Sequence, residues 1–384
     1  MNIADLEDSL NLNPNGNRIE EEEEEEEEGI RAGRIANAVA FPMALKTAVE
    51  LGVIDAIHAA GEGDWLSPRE IACRIPTKPG NPHAPMMLDR ILRLLASYSI
   101  VKCRTVRTQE DGGGTEIERV YASKPICRFF LNDSQGSGSL FPLFLVSLTD
   151  VYINMWSHLK DMIIEGKDPF TCANGTGLYE YLARNEPFHE LFHRAMSEHS
   201  TMIMKKILRV YKGFEGVNVL VDLGGGDGTS LSLVTAKHPH IRGINFDLLD
   251  VVAKAPTFPG VEHVAGDMFV EIPKADAIFT KRSIHGWNDE ESVKILRNCW
   301  KSLPDKGKVI IVETVVPTNL EGGREYANLS FDLDVLLMAL LPGGRERTRA
   351  EFEGLARRSG FARCEFVCRA YYCWVIEFHK ETGM

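Results

Sequence analysis

Asp222, Gly224, Gly226 and Gly228 stand at alternate positions after an apolar run and before a segment carrying Leu231 and Val234. Glycines there let a ligand approach backbone N–H groups at the start of a helix, where those donors have no partner within the helix. A dinucleotide loop would carry its third glycine at Thr229, so the spacing favours S-adenosylmethionine over a nicotinamide cofactor. Asp247 closes the next apolar run, 19 positions beyond Gly228. A carboxylate at such a strand tip accepts both hydroxyls of a ribose, or caps the segment that starts at Leu248. Asp267 and Met268 close a third run, offering a carboxylate and a thioether to an adenine. Between Phe141 and Tyr211 lie Met155, Trp156, Met162, Tyr179, Tyr181, Phe188, Phe192, Met196 and Met202, which either form core or line a pocket for a flat aromatic ligand.

The elements that must position these residues follow from periodicity. Val217 to Leu223, Ile241 to Phe246, Val261 to Ala265, Ala275 to Thr280 and Lys308 to Glu313 read as short strands separated by helical segments. That alternation predicts an α/β fold with a doubly wound parallel sheet. Ala362 to Arg369 and Tyr371 to Phe378 would complete it as an antiparallel hairpin at one edge. Upstream, Ala36, Ala40, Ala44, Ala48 and Leu51 form a small apolar stripe at near-helical spacing. Ser67, with Glu70 three positions on, makes a capping box that starts a short helix at Pro68. A helix after Pro85 carries Met87, Leu88, Ile91, Leu92 and Leu95 on one face, and Val101 to Val106 with Val120 to Ala122 read as a hairpin around Gly112 to Gly114. Helix, helix, hairpin is a winged-helix order; the apolar second helix points to packing against protein rather than DNA.

The chain has 384 residues, 44% hydrophobic and 26% charged, with a formal charge of −12. Collagen, coiled coil and wholesale disorder are excluded by that composition. The charge is local: Asp5, Glu7, Asp8 and the run Glu20 to Glu28 hold 12 of the 55 acids, and the body from Gly29 has 43 acids against 42 bases. A near-neutral body argues against a general nucleic-acid binder, and the glutamate run reads as a solvated, disordered tail. No apolar stretch reaches the ~18 residues of a membrane span, and the N-terminus lacks a signal pattern. The eight cysteines include no Cys-x-x-Cys pair, which favours reduced thiols and a cytoplasmic setting over disulfides or zinc.

The ordered set is more specific than its parts. Asp222-x-Gly224-x-Gly226-x-Gly228, Asp247, Gly266-Asp267-Met268-Phe269, Lys281, His285-x-Trp287 and Leu341-Pro342-Gly343-Gly344-Arg345-Glu346-Arg347-Thr348 resembles the plant phenolic O-methyltransferases of the caffeate and isoflavone type. The likeness runs from about Ile30 to Lys380. It implies a Rossmann-like class I methyltransferase domain over 213–384, a helical linker and substrate-pocket region over 136–212, a winged-helix-like dimerisation domain over 30–135, and an acidic tail over 1–29. The resemblance further implies a homodimer that uses S-adenosylmethionine and a small phenolic acceptor, with no nucleic-acid or membrane partner and no metal.

Residue by residue, the resemblance makes His285 the base that removes the phenol proton, with Glu313 and Glu346 beside it. Asp222, Gly224, Gly226, Gly228, Asp247, Leu248, Asp267, Met268, Lys281 and Trp287 would hold the cofactor. Ser147, Met155, Phe188, Phe192, Met196, His199, Leu337 and Leu341 would line the acceptor pocket. The chain also departs from the family pattern: Gly286 replaces an aspartate after the base, Arg282 replaces a tryptophan after Lys281, and Ser147 and Leu341 replace polar pocket residues. These losses point to an acceptor larger or less hydroxylated than caffeate, such as a lignan, alkaloid or flavonoid. A nicotinamide-dependent reductase, a winged-helix ligand-sensing regulator and a catalytically dead relative are the competing readings.

Overall fold

The computed structural model describes residues 14–109, 115–132, 135–318 and 324–381. The chain divides into two compact units, Met1–Cys127 and Arg128–Met384.

In the first unit, α1 (Pro14–Ala36) contains the glutamate run. Glu23 to Glu28 are exposed, as solvated charges must be, yet the segment is helical where the sequence reading expects disorder; Met1–Asn13 lie outside the described residues. Glutamate is a good helix former, and Arg31 pairs with Glu28 one turn back at 3.1 Å. The alanine stripe is cut by a turn at 37–39, leaving Ala36 and Ala40 exposed. Beyond it, α2 (Ala40–Glu50) buries Leu45, Ala48 and Val49. After α3 (Val53–Ala59), α4 (Pro68–Arg74) opens with the expected capping box: the Ser67 N–H donates to Glu70 at 2.7 Å and the Glu70 N–H to Ser67 Oγ at 3.3 Å. α5 (Ala84–Ser97) buries Leu88, Leu92 and Leu95 but leaves Met87 exposed, a narrower apolar face than expected. The hairpin is β1 (Val101–Gln109) with β2 (Thr115–Ser123), and its tip lies outside the described residues.

The second unit starts with short helices, α6 (Phe141–Ser147), α7 (Asp150–Trp156), α8 (Leu159–Glu165), α9 (Pro169–Asn174) and α10 (Leu178–Arg184), then the long α11 (Glu186–Val210). Alternation follows: β3 (Val219–Leu223), α12 (Thr229–Lys237), β4 (Arg242–Asp247), α13 (Leu249–Val252), β5 (Val261–Ala265), β6 (Ala277–Lys281), α14 (Asp289–Ser302) and β7 (Lys308–Glu313). β8 (Val315–Val316), α15 (Arg324–Leu340), β9 (Arg347–Thr348), α16 (Arg349–Arg358), β10 (Arg363–Ala370) and β11 (Cys373–His379) complete the chain order. The main sheet runs β10-β11-β7-β6-β3-β4-β5, parallel from β7 to β5 and antiparallel where β11 joins β7 and β10 joins β11.

Successive residues of a strand point to opposite faces, and the core follows that rule. Val221, Ile278, Val309 and Ile311 pack with Val293, Leu296 and Cys299 of α14 and Phe352 and Leu355 of α16. Their neighbours Leu220, Ala277, Phe279, Ile310 and Val312 pack with Met204 and Ile207 of α11 and Leu231 and Val234 of α12. With both faces covered, the strands are near-continuous apolar runs, and their polar residues concentrate at the carboxyl ends, where open α/β sheets bind ligands.

Candidate active site

Every parallel strand of the main sheet except β5 delivers a polar residue at its carboxyl end: Asp222 on β3, Asp247 on β4, Lys281 on β6 and Glu313 on β7; Asp267 lies just past β5. After β3 the chain turns through Gly224, Gly226 and Gly228, all at positive φ (+68°, +60° and +84°). Gly228 caps α12. Gly225 between them has no room for a side chain, since a Cβ there would lie 2.0 Å from Asn245 Oδ1 and 2.8 Å from Asp222 Cγ. Asp247 draws the loop in, accepting the Gly226 N–H at 2.9 Å on one oxygen and the Leu248 N–H at 2.7 Å on the other.

Beneath this loop, Asp222 Oδ2 and Asn245 Oδ1 are buried without hydrogen-bond partners. Burial pushes the Asp222 carboxyl up to about 7, and burial likewise lowers the Lys281 ammonium. Unfilled acceptors under a glycine loop, with a carboxylate at the neighbouring strand tip, fit a ligand rich in donors, as an amino-acid nucleoside is. Asp267 accepts the Phe269 N–H at 2.8 Å, and the Met268 carbonyl accepts from Asn298 at 3.0 Å, so both residues are fixed at the rim. Trp287 packs edge-on against Phe269, while Leu248 is exposed.

His285 sits in a 3-10 turn, Ile284–Gly286, directly after β6, and is 8% exposed. Glu313 Oε1 accepts the backbone N–H groups of Ser283 (3.0 Å) and His285 (3.3 Å), which binds the turn to the end of β7. The ring Nδ1 lies 3.5 Å from Glu313 Oε2 and 3.4 Å from Glu346 Oε1. These carboxylates, 33 positions apart in sequence, are neighbours because β8 and β9 form a short parallel ladder, Val315 opposite Arg347, which starts just beyond each of them. The Arg345 N–H donates to the His285 carbonyl at 2.8 Å, and the Glu346 N–H to Asp334 of α15 at 2.8 Å. Burial holds the Glu313 carboxyl above its ordinary range. In Glu346 the same burial is outweighed by Arg282 and His285, and its carboxyl is held below that range.

Such an imidazole, backed on Nδ1 by two carboxylates, presents Nε2 for a proton and has anions to stabilise the cation that results. By residue type the trio could also ligate a metal, as could Glu365, Glu377 and His379. In both groups a side-chain cation is already seated, Arg282 on Glu346 and Lys308 on Glu377.

The expected pocket residues divide. Met155, Phe188, Phe192, Met196 and Leu341 belong to one apolar cluster with Tyr152, Phe170 and Leu340; Met155 and Phe188 are buried core within it, and Leu337 is buried too. The Ser147 hydroxyl donates to its own helix at Phe144 (2.8 Å). His199 is buried and shares a 2.7 Å hydrogen bond with Tyr372; burial, followed by the charges of Lys281 and Arg282, holds its imidazole neutral. Tyr372, Asn245, Asp334 and the seating of Arg282 on Glu346 were invisible in the sequence. Only Arg282 carried a signal, as a departure from the family pattern.

Residues 156–362 match the O-methyltransferase domain model, and residues 34–133 match the O-methyltransferase dimerisation domain model. Indole glucosinolate O-methyltransferase 4 of Arabidopsis thaliana is 53% identical over 92% of this chain and 93% of its own length. The chain belongs to the O-methyltransferase family. Members of this family take their methyl group from S-adenosylmethionine, so the reductase and regulator readings fall. The O-methyltransferase is also 46% identical to a caffeic acid 3-O-methyltransferase of Capsicum annuum, over 91% and 95% of the two chains. Its fold matches human N-acetylserotonin methyltransferase in complex with SAM (TM-score 0.72, 20% identity, 91% and 97% covered). CalO1, a methyltransferase in calicheamicin biosynthesis in its SAH-bound form, matches equally (TM-score 0.72, 24% identity, 92% and 98% covered). Among the described residues, no helix of this O-methyltransferase is long and apolar enough to cross a membrane.

Proposed function

We propose that this O-methyltransferase methylates a phenolic hydroxyl of a plant specialised metabolite, with His285 as general base and Glu313 and Glu346 orienting its ring. The observation that carries the reading is the imidazole held through Nδ1 between two buried carboxylates, which leaves Nε2 for the hydroxyl. Bound S-adenosylmethionine supplies an electrophilic methyl carbon. The chain's part is to hold an oxygen in line and remove its proton. We assign the cofactor to Asp222, Gly224, Gly226, Gly228, Asp247, Leu248, Asp267, Met268, Lys281 and Trp287, and the acceptor to the cluster around Phe192, Met196, His199 and Leu341.

Leu341 Cδ1 lies 3.4 Å from where a Cβ on Gly286 would be, so the wall beside the base is apolar. A second hydroxyl next to the reacting one would find no partner there and would lose its water. The acceptor we infer presents one hydroxyl on an extended aromatic system. Relatives named for indole glucosinolates and for caffeic acid support a small aromatic acceptor. Incubation with methyl-labelled cofactor and a panel of catechols, single-hydroxyl phenolics and hydroxyindoles, read by mass spectrometry, tests this. A labelled methyl ether on single-hydroxyl acceptors is expected. Preferential labelling of catechols overturns the acceptor reading, and labelling of carbon or nitrogen overturns the reaction.

The match to the dimerisation model supports a homodimer, and the helix, helix, hairpin order of α4, α5 and β1–β2 supports a winged-helix-like form for 30–135. Light scattering on the purified chain reads the dimer directly. We place it in the cytoplasm, which a fluorescent fusion checks.

A further inference from the structure

Arg282 follows β6 at a φ of +51°, in the left-handed region that residues with a side chain seldom occupy. From there its Nη1 reaches both Glu346 Oε1 and Thr314 Oγ1, each at 3.2 Å. Its side chain is 18% exposed and that of Glu346 is fully buried. The oxygen it holds is the one that lies 3.4 Å from His285 Nδ1. One carboxylate oxygen thus serves a permanent cation and the imidazole together.

The groups facing His285 come from several elements. Glu313 at the end of β7 and Glu346 before β9 are in contact with it. Arg282 acts through Glu346, and His199 of α11 interacts with the imidazole; Lys281 at the end of β6, and Tyr372 and Cys373 at the turn and start of β11, interact with Arg282 and the carboxylates rather than with the ring. Without Arg282, two buried carboxylates would face one neutral imidazole. Like charges so close attract a proton to the group as a whole. A cluster already holding that proton has no vacancy for the one on the acceptor.

We propose that Arg282 is a positioning residue for the base: its guanidinium cancels one of the two carboxylate charges and so keeps the His285–Glu313–Glu346 cluster proton-free at neutral pH. The inference rests on the reading of His285 as base. The reaction it serves is balanced, the acceptor proton moving to His285 as the new O–CH3 bond forms and the methyl–sulfur bond of the donor breaks.

The test uses the full chain with Arg282→Met and Arg282→Lys. For Arg282→Met, the acid limb of kcat/KM against pH should move up by about one unit or more, with the high-pH plateau and the Kd for S-adenosylmethionine within a few fold of the starting chain. Arg282→Lys, which keeps the charge, should bring the limb back. An unmoved limb, or an equal loss at every pH, overturns the proposal. The 15N shifts of the His285 imidazole, titrated without cofactor or acceptor, give a midpoint that should rise in parallel. If no phenol is methylated while that midpoint rises, the acceptor reading fails and the charge assignment stands. If the midpoint does not move, the assignment fails whatever the turnover. The comparison repeats in a Glu346→Gln background, where Arg282 has no carboxylate charge to cancel; there losing Arg282 should move the midpoint much less, and an equal rise in that background overturns the proposal.

Discussion

At the scale of single residues, His285 and Asp222 make opposite uses of burial. His285 has two carboxylates to stabilise a proton, so His285→Ala should lose at least about a hundredfold in turnover at pH 7. Affinity for S-adenosylmethionine should stay within a few fold, because the glycine loop and Asp247 lie at the ends of other strands, β3 and β4. A phenol ionises near pH 10, so much of the lost rate should return as the assay pH approaches that value. Full activity at pH 7 would remove His285 from the mechanism. Asp222 is buried without a partner on Oδ2, and burial pushes its carboxyl from 3.8 up to about 7. An acid raised in the folded state binds its proton more tightly there than in the unfolded chain, so stability falls as pH climbs through that window. Asp222→Asn, neutral throughout, should melt above the starting chain at pH 8 without cofactor, and the gap should narrow toward pH 5. A gap that widens on acidification contradicts this.

At the scale of elements, the His285 turn is held from outside by Arg347, which is 1% exposed. Its guanidinium donates to the carbonyls of Ile284 (3.1 Å) and Trp287 (2.8 Å), to Ser292 Oγ (3.2 Å) and to Asp289 (2.9 and 3.0 Å). One side chain on β9 thereby joins the His285 turn to the first turn of α14. Arg347→Met strands these acceptors, and each buried one left without a donor costs about 1–3 kcal/mol. A lower urea midpoint, by about 2 kcal/mol or more, should accompany reduced turnover; an unchanged midpoint would show that water replaces the arginine. The strand runs, the helix after the glycine loop and the Ser67 capping box were legible because each depends on residues close in sequence. The β8–β9 ladder was not, because two-residue strands carry no periodicity and their pairing is set by the fold around α15.

At the scale of the whole molecule, α1 is exposed from Glu23 to Ala36, so its glutamates contribute solubility rather than core. A chain shortened to begin at Gly29 should keep its thermal midpoint within a few degrees and its turnover within twofold; a larger loss would assign the helix a structural role. The expectation of disorder there failed because like-charge repulsion was weighed without the helix propensity of glutamate. What the amino-acid sequence determined by itself was the doubly wound sheet, the glycine loop, the polar residues at the ends of β3, β4, β6 and β7, and the family. Those are written in local spacing and in the order of motifs along the chain. Only the tertiary structure decided that Glu346 shares an oxygen between Arg282 and His285 and that Tyr372 meets His199. Such pairings join residues from separate elements, and a contact between elements is fixed by packing of the two sheet faces, a property no stretch of sequence contains.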